Sequence, residues 1–467
     1  MTGRRTHPTN GTSNRPEGHS MSNNSADVVV IGGGPAGAVS AYVLAKEGHS
    51  VVLLEREENP RFHIGESLLP YMMGLFDRIG IREAVETKGY VPKFGGEFID
   101  PTETKFFSGV FRADFGKQGE GRYDRAFQVE RAKFDRMLVE EAGKAGAEIH
   151  FGAAVGELLM EGDRMVGVRY TKDGEEHEVR STYVVDASGR SGRIANKFGL
   201  RKTLDKLRMV AVFRHYDGLD EKHNLGVEGD IQVGAHADGW VWAIPLSKDV
   251  ISVGTVMPRD VFRASTPEKV FEEHLARVPR ITTRLTGTRP IMDLKIETDY
   301  CYHTDTVTGP GWLMVGDAGC FGDPMFSGGV LVASATAVRA AENLSRALKN
   351  PQDADRLIAE YENFFKTGYD TYIRLIHAFY DGELVAVAAD AGRTTDRDTL
   401  ERYLIRLIGG DFWSEHNAVA QEMRRRTEWD TFAPFERVYG CPSYPHLDEQ
   451  DRKERAESRI RRVTAGQ

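Results

Sequence analysis

The sequence predicts an α/β fold whose first domain is interrupted by a sheet-based second domain and followed by a helical C-terminal region. Three observations carry that expectation. Asp27 to Glu55 reads as strand, glycine turn, helix and strand; residues 205–300 change to strands of period-two alternation; and Trp312 to Val315 returns to a short buried-strand style ahead of a long helix at about 329–348.

Taken in order, Asp27 to Ile31 and Ser50 to Leu54 are short runs dominated by valine, isoleucine and leucine, as strands buried on both faces require. Pro35 to Glu47 between them is a helix, which completes one βαβ unit. Residues 56–95 are expected to be helical with a glycine-rich exit, Glu130 to Gly143 to form a helix of good formers, and Ala147 to His150 a strand. Val155 to Glu178 alternates and turns at Asp173-Gly174 like a hairpin, and Val184 to Asp186 is a strand running into a glycine turn at Gly189. In the second domain the expected strands are Met209–His215, Ile231–Ala235, Gly239–Ile244 and Val250–Met257, with one helix near 267–277. The expected division is a disordered leader at 1–25, a first domain at 26–204 and 296–350, a sheet domain at 205–295 to which loop 93–125 contributes, and helices over 351–467.

The chain has 467 residues, and 61 lysines and arginines against 70 aspartates and glutamates leave a formal charge of −9. That balance argues against a nucleic-acid partner. The basic stretch from Arg452 to Arg462 is interleaved with Glu454 and Glu457 and reads as a solvated helix end. Cys301, Cys320 and Cys441 lie far apart with no CxxC pair, so neither a disulfide framework nor structural zinc is expected, and a reducing, cytoplasmic setting follows. The histidines show no HExxH spacing and no GxSxG elbow occurs, which removes metal and serine-hydrolase readings. Behind Arg4-Arg5 there is no apolar stretch and so no export signal, and Met21 is a second candidate start. Residues 28–45 are uncharged, but Gly32-Gly33-Gly34-Pro35 breaks them too early for a bilayer helix, and no membrane contact is expected.

Gly32-Gly33-Gly34-Pro35-Ala36-Gly37 places GxGxxG between a strand and a helix, where bare backbone N–H groups can meet a pyrophosphate. Glu55 ends the next strand about 20 residues on, placed to accept from ribose hydroxyls. The unit is therefore Rossmann-like and dinucleotide-binding, with Gly32, Gly33, Gly34, Ala36, Gly37 and Glu55 as its contacts. These residues do not separate NAD from FAD. The distinction comes from Gly316-Asp317-Ala318, at the end of the strand at Trp312, where an acidic side chain can hold ribitol hydroxyls that NAD lacks. With Arg131 in Val129-Glu-Arg131-Ala-Lys-Phe-Asp135, these residues resemble the FAD site of the glutathione-reductase-like flavoproteins, and the resemblance implies FAD. For Arg131 alone, a surface pair with Asp135 is the alternative.

Gly239-Trp240-Val241-Trp242-Ala243-Ile244-Pro245 on a period-two strand puts both indoles on one face. Such a pair commonly serves core packing. Together with GxGxxG, however, Trp-x-Trp-x-Ile-Pro resembles the double signature of the flavin-dependent halogenases, over about residues 27–345. The resemblance implies that reduced FAD and O2 form a flavin hydroperoxide, that chloride or bromide attacks it to give hypohalous acid, and that Trp240 and Trp242 keep the organic substrate off the flavin. It also implies a lysine beyond the tryptophans. Lys93 in Gly89-Tyr-Val-Pro-Lys93, after His63-Ile-Gly65-Glu66-Ser67, stands where the family keeps it, and Lys88 is the fallback. The resemblance implies that Lys93 holds the halogen either as a haloamine, which needs the neutral amine, or as hydrogen-bonded hypohalous acid, which suits the charged one. A solvated lysine of pKa ~10.4 is neutral about once in 2,500 at pH 7, whereas a desolvation shift of ~3 units leaves about a quarter to a third neutral.

The halide site implied beside the flavin lies in Asp323-Pro324-Met325-Phe326-Ser327-Gly328-Gly329-Val330. Successive amides at a helix start form an anion nest, with Ser327, Gly328 and Gly329 as its candidates and Val330 against the flavin; close helix-to-sheet packing is the alternative for the glycines. Phe326 stands where tryptophan halogenases have a glutamate, so a ring that supplies its own electron push is expected, a phenol or a pyrrole, free or tethered to a carrier protein, in secondary metabolism. Phe106, Phe107, Phe111 and Phe115 either line its pocket or pack a strand, and Tyr361, Phe364, Phe365 and Phe379-Tyr380-Asp381 fit the phenol-type branch loosely. A separate flavin reductase is the implied partner, because the flavin occupies the one dinucleotide fingerprint. Two rivals remain. An NAD(P)H-dependent FAD aromatic hydroxylase would carry Asp-Gly where this chain has Asp186-Ala187, and a redox-inert flavoprotein scaffold would have no use for Lys93.

Overall fold

The computed structural model describes residues 25–58, 63–101, 109–118, 123–220, 229–298, 300–384 and 396–432 without 427 and 430, together with 387, 390 and 392. The expectations for the leader, Met21, Phe106, Phe107, Cys441 and the basic stretch at 452–462 lie outside the described residues.

The valine-rich runs form the parallel heart of the first sheet. Ser25–Ile31 lies between Val51–Leu54 and Glu175–Asp186, with Val29 beside both Val52 and Val184. Glu148–His150 and Trp312–Met314 extend the parallel set on either side. Parallel neighbours need covered faces, and the helices Pro35–Lys46 and Gly329–Lys349 pack on each other to provide one such cover. The turn between strand and helix therefore opens at the carboxyl end of Ser25–Ile31, where such sheets bind ligands.

The second sheet runs Arg289–Pro290, Met209–Asp217, Val250–Pro258, Gly239–Pro245, Ile231–His236, Gly95–Asp100 and Gly109–Asp114, with Lys295–Thr298 also on Met209–Asp217. Period-two alternation gives it two faces. Val210, Val212, Val241, Ala243, Ile251 and Val253 form a separate core with residues of the helix Pro267–Ala276, whereas Phe98, Val233, Trp240 and Trp242 turn to the main core. Behind them, the helix Ala354–Tyr380 lies on Gly329–Lys349, and Arg397–Ile408 packs on Phe115–Gln118.

Two stretches differ from the expectations. Residues 56–95 are not one helical segment: Pro70–Ile79 and Arg82–Glu86 are helices, but from Val91 the chain is extended and Lys93 ends a strand, Val91–Lys93. Pro92 has no amide to give to a helix, and Gly89, Gly95 and Gly96 disfavour one on either side. The expected hairpin is part of a meander of Ala154–Glu161, Arg164–Lys172 and Glu175–Asp186. Its turn at Asp173-Gly174 is as read, both residues being left-handed at φ 52° and 81°, but the turn at Gly162 and the continuation of the last strand to Asp186 are not visible in the alternation.

Candidate active site

A cleft of about 700 Å³ is lined by Gly32, Gly34, Ala36, Glu55, Arg131, Asp317, Ser327, Gly329 and Val330 and by Trp240 and Trp242. Gly33, Gly37, Gly316, Gly328 and Lys93 are not among the residues that line it. Gly32 is left-handed at φ 104°, and a Cβ at Gly37 would meet the Gly32 carbonyl oxygen at 1.9 Å, so these two glycines let the helix close on the turn. Gly34 differs, because a Cβ there would meet nothing within 4 Å; its bareness keeps the cleft open. The helix Pro35–Lys46 has no side-chain cap, which leaves its first amides as unspent donors for a phosphate. Glu55 is fixed by two backbone donors, Gly33 N–H at 2.5 Å and Glu57 N–H at 2.8 Å.

Of the alternative reading of Arg131, the pair with Asp135 is present but its surface place is not. It forms a bidentate pair with Asp135 at 2.8 and 2.9 Å, and it is buried against the cleft rather than on the surface. Burial pushes the neighbouring Asp317 carboxyl up to about 7, against the pull of Arg131. An acid short of donors, an open cleft and unspent helix amides together fit a flavin dinucleotide with ribitol hydroxyls at Asp317 and phosphates at the glycine turn.

In the loop expected to hold halide, Asp323 Oδ1 caps Met325 N–H at 3.0 Å, and Ser327 sits in the left-handed region at φ 56°, uncommon for a residue with a Cβ. Gly328 N–H is already donated to Tyr372 Oη at 3.3 Å, and a Cβ on Gly328 would meet that ring at 2.5 Å. Of the expected nest, then, Gly328 faces the tyrosine. The open donors are the first amides of the helix Gly329–Lys349, which has no side-chain cap. Phe326 contacts the rings of Phe98 at 6.3 Å and Phe379 at 5.9 Å.

Lys93 is 2 % exposed. Its Nζ donates to Ser67 Oγ at 2.8 Å and to the Leu68 carbonyl at 2.9 Å, and the Phe115 ring lies 5.4 Å away. Burial pushes its pKa down to about 7 against the opposing charge of Asp230, which is itself held by Arg112 at 2.7 Å and Phe94 N–H at 3.1 Å. Ser67 lines the cleft, so one serine stands between the cleft and the amine. Lys88, by contrast, is exposed. The two indoles are 5.7 Å apart; Trp240 Nε1 donates to Tyr380 Oη at 2.8 Å and Trp242 Nε1 to Ser252 Oγ at 3.3 Å.

Sequence reasoning gave no role to Ser67 or Tyr372 and only a loose family fit to Tyr380, and none to the buried Glu66, whose Oε1 is 2.8 Å from His215 Nε2. A signal was present for the tyrosines: Tyr361 and Tyr372, like Tyr369 and Tyr380, are about three turns apart on one helix. Among the described residues no helix is long and apolar enough to cross a membrane.

Residues 25–364 match the FAD binding domain family. The chain is 33 % identical over 365 residues to tryptophan 2-halogenase of Chondromyces crocatus, covering 76 % of this chain and 68 % of that protein. It is 32 % identical over 381 residues to 1H-pyrrole-2-carbonyl-(peptidyl-carrier protein) chlorinase of Pseudomonas fluorescens, covering 77 % and 84 %. Among solved structures, the myxobacterial chondrochloren halogenase CndH aligns with a TM-score of 0.71 at 32 % identity, over 77 % of this chain and 83 % of that one.

Proposed function

The chain belongs to the flavin-dependent halogenases, and from that premise we propose that it moves chlorine or bromine through Lys93 to an electron-rich ring, a phenol or a pyrrole, free or carrier-tethered. The observation that carries this reading is the situation of Lys93: sealed from solvent, one serine from the cleft, and held by burial near a pKa of about 7. At pH 7 such an amine is about half neutral. Its lone pair can then take halogen from hypohalous acid, forming an N–halogen bond and releasing water, and the ring attacks that halogen while the amine recovers a proton. Reduced flavin bound in the cleft, supplied by a separate reductase, would give two electrons to O2, and the halogenating oxidant would come from that chemistry. Trp240 and Trp242 wall the cleft and keep the ring from the cofactor.

Phe326 brings no carboxylate to accept the ring proton, which favours rings that lose a proton of their own or spread the charge. The name of the Pseudomonas relative supports a carrier-tethered pyrrole. That of the Chondromyces relative supports a second reading, an indole. The test is one supply of reduced FAD with O2 and bromide, followed by mass spectrometry of a simple phenol competing with tryptophan, with a carrier-tethered pyrrole in a parallel run. The phenol or pyrrole is expected to gain one halogen at least ~hundredfold faster than tryptophan, the ratio that ~3 kcal/mol of lost arenium stabilisation gives. Preference for tryptophan would select the indole reading. Hydroxylated product driven by NADPH alone would replace halogen transfer by hydroxylation.

A further inference from the structure

The tryptophan strand and the halide loop are joined by polar contacts that halogen transfer through Lys93 does not use. Trp240 Nε1 donates to Tyr380 Oη at 2.8 Å, Tyr380 donates to Asp323 Oδ2 at 3.0 Å, and Tyr300 donates to the same oxygen at 3.3 Å. Asp323 is fully buried; its Oδ1 accepts from Met325 N–H at 3.0 Å and its carbonyl from Tyr372 at 2.6 Å. One carboxylate thus caps the halide loop and gathers two phenols.

The direction of these bonds matters more than their number. An indole N–H only donates, so Tyr380 Oη must accept from Trp240 Nε1, and the Tyr380 hydroxyl hydrogen is the one turned to Asp323 Oδ2, as that of Tyr300 is. Tyr380 is left with lone pairs, and no hydrogen, toward the indole. It can therefore only accept from Trp240 Nε1, and it fixes that edge of the ring. An indole has two torsions about which it can turn, and the Tyr380 contact ties its polar edge to one setting of them. Trp240 lines the cleft while Tyr380 does not, so the hydroxyl grips the ring from behind. Tyr380 closes the helix Ala354–Tyr380, and the adjacent Phe379 packs edge-on against Phe326 of the same loop, which anchors the helix end to both partners.

We infer that Tyr380 is a positioning residue: oriented by Asp323, it locks the Trp240 indole at the wall of the flavin cleft and so sets how much oxidant leaves as transferable halogen rather than as hydrogen peroxide. This rests on the reading above, in which the oxidant formed in the cleft passes the tryptophans. Tyr380→Phe keeps the ring and leaves Asp323 with Tyr300 and Met325 as donors, so the loop retains its cap.

Two measurements test it. In flavin-free protein labelled with 15N-tryptophan, the Trp240 indole resonance, assigned by its loss in Trp240→Phe, is expected to shift in Tyr380→Phe while the other indoles stay in place. In the FAD-loaded full chain given reduced flavin, O2, bromide and a 1,3-diketone as halogen trap, Tyr380→Phe is expected to raise the ratio of peroxide to trapped halogen about threefold to tenfold, as loss of one hydrogen bond would. The same change in a Trp240→Phe background is expected to add nothing, since the two residues act through one contact. An unchanged ratio, an additive effect in that background, or an unmoved resonance would overturn the inference while halogenation by the wild type stood. A wild type that yields peroxide alone would overturn the halogen-transfer reading and this inference with it. Should Tyr380→Phe not fold, Asp323→Asn is read in the same assays, since its amide no longer requires two donors and is expected to raise the ratio likewise.

Discussion

At the flavin end of the site the chain leaves backbone donors uncovered, whereas at the lysine end it covers everything. The cleft is made of glycines, an uncapped helix start and an acid short of donors, all facing about 700 Å³ of open space. Lys93 is closed in by Ser67, Leu68 and Phe115, with two hydrogen-bond acceptors for its ammonium and, among the described residues, no ion pair within contact. The difference is one of solvation. Open amides wait for a charged ligand, while a desolvated amine is driven toward neutrality, and a neutral amine is a nucleophile.

The contrast can be broken most severely at the glycine turn. Gly37→Val puts side-chain atoms where a Cβ alone would lie 1.9 Å from the Gly32 carbonyl oxygen, and a loss of ~3 kcal/mol or more of stability, with loss of bound flavin, is expected from thermal melts and absorbance. Gly34→Ala, which meets nothing within 4 Å, is expected to keep the melting temperature and weaken FAD by about tenfold, seen by titration, because the methyl enters the cleft.

At the lysine end the sign of the pH effect separates burial from pairing. A lysine whose folded pKa is lowered to about 7 from 10.5 binds fewer protons folded than unfolded between those values, so its penalty is full below pH 7 and is relieved as pH rises toward 10.5. Lys93→Met is therefore expected to stabilise the protein by about 2–3 kcal/mol more at pH 6 than at pH 9 in denaturant unfolding. Halogenation by the wild type is expected to rise with pH through about 7, as the amine loses its proton. Ser67→Ala removes an acceptor from the charged form, so the inflection is expected to move to lower pH. Lys88→Ala, on an exposed residue, is expected to change the rate by less than about twofold.

The two ends were unequally legible in the sequence for the same reason they differ in chemistry. GxGxxG, Glu55, Asp317 and the paired tryptophans declare themselves because each is tied to a strand end or a strand period that local sequence determines. The sheet strands from Met209 to Met257 were readable to within two residues for that reason too. Lys93 could be placed only by its resemblance to a family pattern, since its burial depends on Ser67, Phe115 and Asp230 arriving from separate elements. Its strand was hidden by a helical reading of 56–95 that Pro92 and Gly95 overrule. Gly328 looked like a halide donor until Tyr372, brought in by a distant helix, took its amide.

The central claim, that oxidant is made at one end and used at the other, is tested most directly by a single turnover of Lys93→Ala with reduced FAD, O2 and bromide, reading two products in parallel. Halogen captured by a small diketone in solution is expected at the wild-type yield, together with unchanged FAD binding, while halogenation of the phenol or pyrrole falls at least ~hundredfold. Ring halogenation within about threefold of wild type would contradict it, and would remove Lys93 from the reaction.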